Sequence, residues 1–318
     1  MCVVRGGAVR NDPGMDGTSL APYSQEVSDG VFAYVQPDGS WWLNNTGIVV
    51  GSTVVAVDAS STERRTRALL DETRRLTAAP IRTLVNTHHH GDHTNGNCLY
   101  DGAAVVAHRR CRDGVAGQVI GGLDAVFGQV DWGDLTIRPP DVVFDDRTDV
   151  FAGDRLVELH YIGTPAHTAG DVVAWLPEER VLFAGDLVFT GGTPFMLMGS
   201  VAGALDALAA LRRFGAETLV PGHGPVGDMT AIDDVERYAR FVLDLADRSV
   251  EAGLSPLDAA RDVDLGEFAD WHDSERIVGN LHRAMAELGG LPRGGAVDIM
   301  AAFADMLDYN GGPLRCLA

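Results

Sequence analysis

Thr87-His88-His89-His90-Gly91-Asp92-His93 packs four metal-capable side chains into one tight loop in the pattern H-x-H-x-D-H. Folding alone gives no reason for such density. Imidazole and carboxylate together suit Zn(II), Mn(II) or Fe(II), and Gly91 lets the backbone bend so that alternate side chains converge. Further ligand types recur where expected strands stop: His167 in Thr164-Pro165-Ala166-His167-Thr168, Asp186 in Phe183-Ala184-Gly185-Asp186, and His223 in Val220-Pro221-Gly222-His223-Gly224. Each has Gly or Pro beside it in an expected loop.

The sequence around these blocks alternates between strand and helix signals. Upstream, Val31–Val35, Gly47–Val50 and Val54–Val57 read as a β-meander, with Gly51-Ser52-Thr53 as a turn. Ser60-Ser61-Thr62-Glu63 offers a helix N-cap followed by Leu69, Leu70 and Leu76, with Pro80 ending that helix. Thr83-Leu84-Val85 is then a short strand leading into the histidine loop. A second half repeats the theme, with strands around Val142–Phe144, Arg155–Ile162, Asp171–Leu176 and Val181–Ala184, a helix over Ala204–Arg213 and a strand at Thr218–Val220. Two β-rich halves with interspersed helices predict an α/β fold, two packed sheets covered by helices in a four-layer αβ/βα sandwich. Beyond Pro225, Ile232, Val235, Tyr238, Val242 and Leu245 recur at helical spacing, so the expected organisation is a leader over 1–28, a catalytic domain over 29–228 and a helical region over 229–318.

Composition narrows the function classes. All 25 basic side chains are Arg, against 45 Asp and Glu, for a net charge of -20. Phosphate-backbone binding needs clustered positive charge, so nucleic acid is not an expected partner. No apolar run reaches membrane-span length and the first thirty or so residues lack a signal-peptide core, so no membrane association and a cytoplasmic location are expected. Cys2, Cys98, Cys111 and Cys316 lack C-x-x-C spacing and read as reduced structural thiols.

The four ligand blocks, in this order, resemble the signature of the metallo-β-lactamase superfamily over about residues 30–228. The resemblance implies that His88, His90 and His167 hold one divalent metal ion, that Asp92, His93 and His223 hold a second, and that Asp186 bridges both. Zn(II) is the first expectation, with Mn(II) and Fe(II) open. Two such cations acidify a water and polarise a carbonyl, with Asp92 and Asp186 as the catalytic carboxylates. His90, where related oxygen reductases carry a carboxylate, favours hydrolysis. Asp58 resembles the carboxylate that orients the histidine loop, although a turn or capping role would account for it equally.

A closer resemblance runs through Asn44–Gly51, Val130–Gly133, Arg138–Pro140, Trp175–Arg180, Gly199–Gly203 and Tyr309–Gly312. These blocks are similar to the metallo-β-lactamase-fold cyclase/thioesterases of bacterial aromatic type II polyketide biosynthesis, the actinorhodin second-ring cyclase type. That resemblance implies an acyl carrier protein bearing a polyketide thioester as partner, and closure of a further ring before hydrolytic release. A glyoxalase-II-like thioesterase, a lactonase or a β-lactamase shares the same site chemistry, and a non-catalytic metal-binding component is the alternative of another class. A homodimer is compatible with the sequence.

A substrate pocket is expected from the apolar residues flanking the metal loops: Phe127, Trp132, Phe189, Phe195, Met196 and Met198, with Tyr309 and Asn310 in a helical roof. Core packing would explain each of them as well. Arg109-Arg110-Arg112 or Arg212-Arg213 could offer a local basic patch to an acidic carrier protein. His89 should face away from its neighbours. His108, His160, His272 and His282 lack partners at ligand spacing, and Asp171 reads as a strand-entry carboxylate rather than a ligand.

Overall fold

In the computed structural model, which describes residues 21–318, the run Val54–Val57 is buried on both faces. Alternate strand residues point to opposite sides. Val55 and Val57 therefore join an apolar cluster with Val157, Leu159, Leu176 and Phe183 from a second sheet, while Val54 and Ala56 pack against Leu69 and Leu70 of a covering helix. The second sheet behaves the same way: Val181 and Phe183 face the first sheet, and Leu182 and Ala184 face helices on the far side. Strands covered on both faces read as near-continuous apolar runs, which is what these segments are.

The first sheet has seven strands in sequential order: β1 (Tyr23–Ser28), β2 (Val31–Val35), β3 (Thr46–Val50), β4 (Val54–Val57), β5 (Ile81–Asn86), β6 (Ala104–His108) and β7 (Val142–Phe144). It is antiparallel through β4 and parallel from β4 to β7. The second sheet runs β12-β11-β10-β9-β8, comprising β8 (Arg147–Ala152), β9 (Arg155–Tyr161), β10 (Val172–Leu176), β11 (Val181–Phe189) and β12 (Thr218–His223). Helices α1 (Glu63–Leu76), α2 (Gly91–Thr94), α3 (Arg109–Ala116) and α4 (Asp124–Phe127) lie within the first half of the sequence. Thr62 caps α1 by accepting from Arg65 N. Helices α5 (Val201–Leu211), α6 (Ala231–Ala252), α7 (Pro256–Asp262), α8 (Arg276–Leu288) and α9 (Ile299–Asn310) follow. The result is the four-layer sandwich with C-terminal helices.

Three expectations change. Tyr23–Ser28, placed within a leader, forms edge strand β1, and residues 1–20 lie outside the described residues. Its polar sequence has no apolar alternation because its order comes from backbone pairing to β2 rather than from burial. Val142–Phe144, grouped with the second half, instead pairs parallel to β6 and ends the first sheet. Strands β6 and β8 were not among the expected elements; β8 is an exposed edge whose charged residues mask its period.

The C-terminal helices are fastened to the loop that follows β11. Asn280 on α8 accepts from Met196 N and donates to Pro194 O, and the buried Arg283 donates from Nε to Leu197 O. Buried polar groups with satisfied partners fix one register between helix and loop. Among the described residues no helix is long and apolar enough to cross a membrane.

Phe183 packs between the sheets. It is 2% exposed, and its ring lies where a side chain on Gly47 of β3 would begin, 2.6 Å from an ideal Cβ. Phe183→Ala is expected to lower the unfolding free energy by about 3–5 kcal/mol through cavity formation, read by equilibrium urea unfolding of the purified protein.

Candidate metal centre

The ligand-type residues converge at one end of the sandwich. His88 and His90 follow β5, Asp92 and His93 sit in α2, His167 lies in the β9–β10 connection, Asp186 is within β11 and His223 is the last residue of β12. Two groups form, His88-His90-His167-Asp186 and Asp92-His93-His223, each with its ligand atoms within 4.8 Å of one another. Asp186 stands between them. Its Oδ2 is 3.2 Å from His167 Nε2, 3.3 Å from His223 Nε2 and 3.8 Å from His88 Nε2, and its Oδ1 is 3.1 Å from His93 Nε2. Local backbone choices permit this crowding: Gly185 adopts φ +52°, and an ideal Cβ on Gly222 would lie 1.9 Å from Asp186 Oδ1. At Gly91 the constraint is space rather than dihedral angle, since a Cβ would press on Asn95 and Trp42.

Each imidazole is oriented from behind. His167 Nδ1 faces Phe195 O at 2.5 Å, His223 Nδ1 faces Gly39 O at 3.0 Å, and His93 Nδ1 faces Asp58 Oδ2 at 2.9 Å. Carbonyls and carboxylates only accept, so Nδ1 is the donor in all three rings and Nε2 is the atom turned toward the cluster, able to bind a metal once it is deprotonated. His88 Nδ1 lies 3.1 Å from Thr87 Oγ1, which donates to Asp58 Oδ2 at 2.7 Å. His90 is the other way round, with Nδ1 inward at 2.7 Å from His167 Nε2 and Nε2 at 3.1 Å from Met198 Sδ. Asp58 also accepts from Thr87 N at 2.8 Å and has φ +64°. A turn role would need only the backbone contact. The grip on Thr87 Oγ1 and His93 makes Asp58 the residue that orients the histidine loop, as the resemblance implied.

Asp171 does the same for His167 without being a ligand. It accepts from His167 N, Thr168 N and Thr168 Oγ1, closing the turn that presents the imidazole. Burial raises its carboxyl to about 7 against those hydrogen bonds. Asn45, within one of the sequence blocks noted above, donates to Pro221 O and Gly224 O and so holds the loop around His223.

The electrostatics are those of a buried cluster short of positive charge at fixed points. Burial, with neighbouring imidazoles, pushes His88 and His90 well below the usual histidine range. Burial would depress His93 and His223 too, but Asp186 and Asp92 outweigh it, raising His93 strongly and His223 to about 9. Burial opposes ionisation of Asp186, yet four imidazoles hold it well below the carboxylate range. Among the described residues, His88 Nε2, His93 Nε2 and Asp186 Oδ1 are buried with no partner at hydrogen-bonding geometry, the 3.1 Å approach of the last two being off that geometry. Such orphaned atoms are costly unless something else satisfies them, and a mixed imidazole and carboxylate set suits divalent metals. The residues fit two metal ions.

The centre opens into a cavity of about 490 Å³. Of the expected pocket residues, Phe127, Trp132, Phe189, Phe195 and Met198 line it. Met196 does not: it is 3% exposed within the core, because its backbone N–H is held by Asn280. Tyr309 does not either, and packs near the end of α9 against the same core. Trp41, Trp42, Phe303 and Arg276 line the cavity without having been singled out. The Trp41-Trp42 pair beside the β2–β3 turn was the available signal. His89 stands outside both ligand groups as expected, its ring packed over Gly114 at the border of the cavity.

The remaining histidines stay outside the cluster. His108 caps α3 and stacks on Tyr161, His160 pairs with Glu158, His282 pairs with Asp305, and His272 packs on Gly192. Within the two arginine groups, Arg109 is paired with Asp145, and Arg212 with Asp233 and Glu236, whereas the exposed Arg110 and Arg112 bond to neutral oxygens.

Asp58→Asn keeps shape but replaces the carboxylate that holds Thr87 and His93, so metal affinity should fall about 10–100-fold in competition with a chelating dye. Metal binding takes only deprotonated imidazole. Because His93 and His223 are raised in the metal-free protein, loading at neutral pH should release protons, and affinity should climb as pH rises toward about 9, where His223 loses its proton. Calorimetry in two buffers of different ionisation enthalpy measures this, and no proton release at pH 7 would contradict it.

Comparison with known proteins agrees with this geometry. The metallo-beta-lactamase superfamily profile matches residues 39–223. The hydroxyacylglutathione hydrolase of Rhodospirillum rubrum is 36% identical over 144 residues, covering 44% of this chain and 46% of that protein. The linear primary-alkylsulfatase of a Pseudomonas species is 25% identical over 258 residues, covering 67% and 48%. The chain thus spans about half the length of the curated relatives it matches. Among solved structures, the DIM-1 metallo-β-lactamase superposes with a TM-score of 0.56 at 21% identity over 69% of this chain and 97% of that one. FIM-1 from Pseudomonas aeruginosa gives 0.56 at 20% identity, over 70% and 96%. At those identities the likeness is one of fold. These relatives bear hydrolase names, and none of them is named as a polyketide cyclase. The profile match takes in the histidine loop, His167, Asp186 and His223, and the chain belongs to the metallo-β-lactamase superfamily.

Proposed function

We propose that this protein is a metal-dependent acyl hydrolase, in the first place a thioesterase, acting on a bulky and largely apolar acyl compound. The observation that supports it most is the union of two ligand groups, sharing Asp186, with a cavity walled by Trp41, Trp42, Phe127, Phe189, Phe195 and Phe303. Divalent metals held there, Zn(II) by the donor set, would acidify water and polarise the acyl carbonyl. The chain's own residues do the rest. Asp186 and Asp92 supply the negative charge that keeps both ligand groups together, and Asp92, at the cavity edge, is placed to take a proton from water and return it to the leaving thiol. The aromatic wall excludes water and holds the acyl body.

The hydroxyacylglutathione hydrolase relatives favour thioester cleavage over other chemistries of the fold. The glutathione half is a poorer match. A tripeptide with two carboxylates calls for several cationic partners, and among the described residues Arg276 is the one arginine lining the cavity, in a chain without lysine. An aromatic acyl group suits the same walls well. A narrower form of the reading is a cyclase/thioesterase acting in the cytoplasm on a poly-β-ketone carried by an acyl carrier protein; the cavity's aromatic lining and the sequence blocks around Asn45 and Gly199 favour it. Arg109 and Arg212 are already paired with carboxylates, which leaves Arg110, Arg112 and Arg213 as the exposed arginines of those two groups for an acidic carrier protein.

Zinc-loaded protein is expected to hydrolyse a naphthoyl thioester of N-acetylcysteamine faster than S-lactoylglutathione or nitrocefin, to lose activity with EDTA and to regain it with metal. His90→Ala and Asp186→Ala should reduce the rate at least about a hundredfold, while His108→Ala and His272→Ala should change it only a few-fold. Nitrocefin as the best substrate would overturn the thioesterase reading. A metal-loaded protein inert to every ester, thioester and lactam would leave a metal-binding component instead.

A further inference from the structure

Arg276 is a fully charged side chain at a place where charge is expensive. It begins α8, is 1% exposed and lines the same cavity as Asp186 and His223. Its guanidinium carbon lies 4.2 Å from the Trp41 ring centroid and 5.4 Å from that of Phe189. Phe189 in turn stacks on His223, with centroids 5.0 Å apart and planes within 2°. One aromatic ring therefore separates the guanidinium from an imidazole of the metal centre.

The donors of Arg276 are not used up by the protein. Nη1 donates to Thr193 O at 2.9 Å. Nη2 lies 2.9 Å from Asp273 Oδ2, but off hydrogen-bonding geometry, and Asp273 Oδ2 is left without a hydrogen-bond partner. Nε is buried and has none. Arg283, of equal burial, spends Nε and Nη2 on Leu197 O and Gly295 O and leaves Nη1 without a hydrogen-bond partner, but it does not line the cavity; what sets Arg276 apart is its place on the cavity wall. Guanidinium cannot shed its proton, so a buried one with spare donors on a cavity wall is built for an oxygen that arrives from outside.

We propose that Arg276 binds an anionic oxygen of the substrate, a carboxylate or enolate oxygen borne on the acyl body, and so fixes that body relative to the carbonyl presented to the metal ligands. The proposal rests on the acyl-hydrolase reading for the identity of the cavity's occupant. Its physical content is separate: the cavity discriminates between a charged planar oxygen pair and its neutral isostere, and Arg276 is the residue that does so. The rings of Trp41 and Phe189 beside the guanidinium carbon favour the cation there, and a guanidinium fork matches a planar oxygen pair.

The experiment measures binding of 2-naphthoate and of the neutral 2-naphthamide to the full chain with its metals, by quenching of the fluorescence of Trp41 and Trp42. The metals also favour the carboxylate, so the quantity read is the ratio of the two affinities in wild type against variants. Arg276→Met removes the guanidinium, and the double variant Arg276→Met with Asp273→Asn removes both charges, avoiding an uncompensated buried carboxylate. The expected result is a preference for naphthoate that falls roughly tenfold to a hundredfold in both variants, with metal content and melting temperature of the double variant unchanged. An unchanged ratio in the folded, metallated double variant would overturn the assignment. Loss of the ratio without any thioester hydrolysis by wild type would keep Arg276 as an oxyanion site and discard the hydrolase reading; hydrolysis with an unchanged ratio would do the reverse.

Discussion

The carboxylate of Asp186 is the constraint on which the site depends. Its two oxygens stand within 3.8 Å of imidazole nitrogens from His88, His93, His167 and His223. A carboxylate buried among imidazoles is stable only if positive charge reaches it, and the raised affinity of His93 and His223 for protons is the metal-free protein's way of supplying that charge. Divalent cations held there would do so better, since they would also satisfy the Nε2 atoms of His88 and His93. The surrounding architecture serves that carboxylate: Gly222 clears the space beside it, Asp58 and Asp171 hold two of the loops that face it, and Asn45 holds a third.

The sandwich explains why such a site can exist. Both sheets are buried on two faces, which makes their strands rigid, and the ligands come from their ends or the turns next to them. The chain then spends loops and C-terminal helices on the cavity. Trp41 links the two regions directly, with its Nε1 donating to Glu275 Oε1 at 2.6 Å and its ring packing edge-on against Phe195. Substrate selection is thereby assigned to parts of the molecule that can vary while the ligand loops stay fixed.

The cluster of candidate ligands was legible because each is a chemically rare residue at or beside a strand end, and because all seven occur in four short blocks that the fold brings together. The two-sheet fold was legible for a related reason: Val54–Val57 and Val181–Ala184 are apolar on both faces. Edge strands β1 and β8 were not, since exposed backbone pairing leaves no hydrophobic alternation to read. The cavity was half legible. Phe127 and Phe195 face it, whereas Met196, next to Phe195, is turned into the core by a single hydrogen bond to Asn280, a contact spanning 84 residues of sequence. Arg276 carried no sequence signal, because its meaning comes from Trp41 and Phe189, which only the folded chain brings beside it.

Anomalous diffraction from crystals of protein purified without chelators tests the central claim most directly. The account predicts two metal peaks per chain, one among His88, His90 and His167 and one among Asp92, His93 and His223, with Asp186 between them. Crystals of fully active protein with no metal at these positions would contradict it.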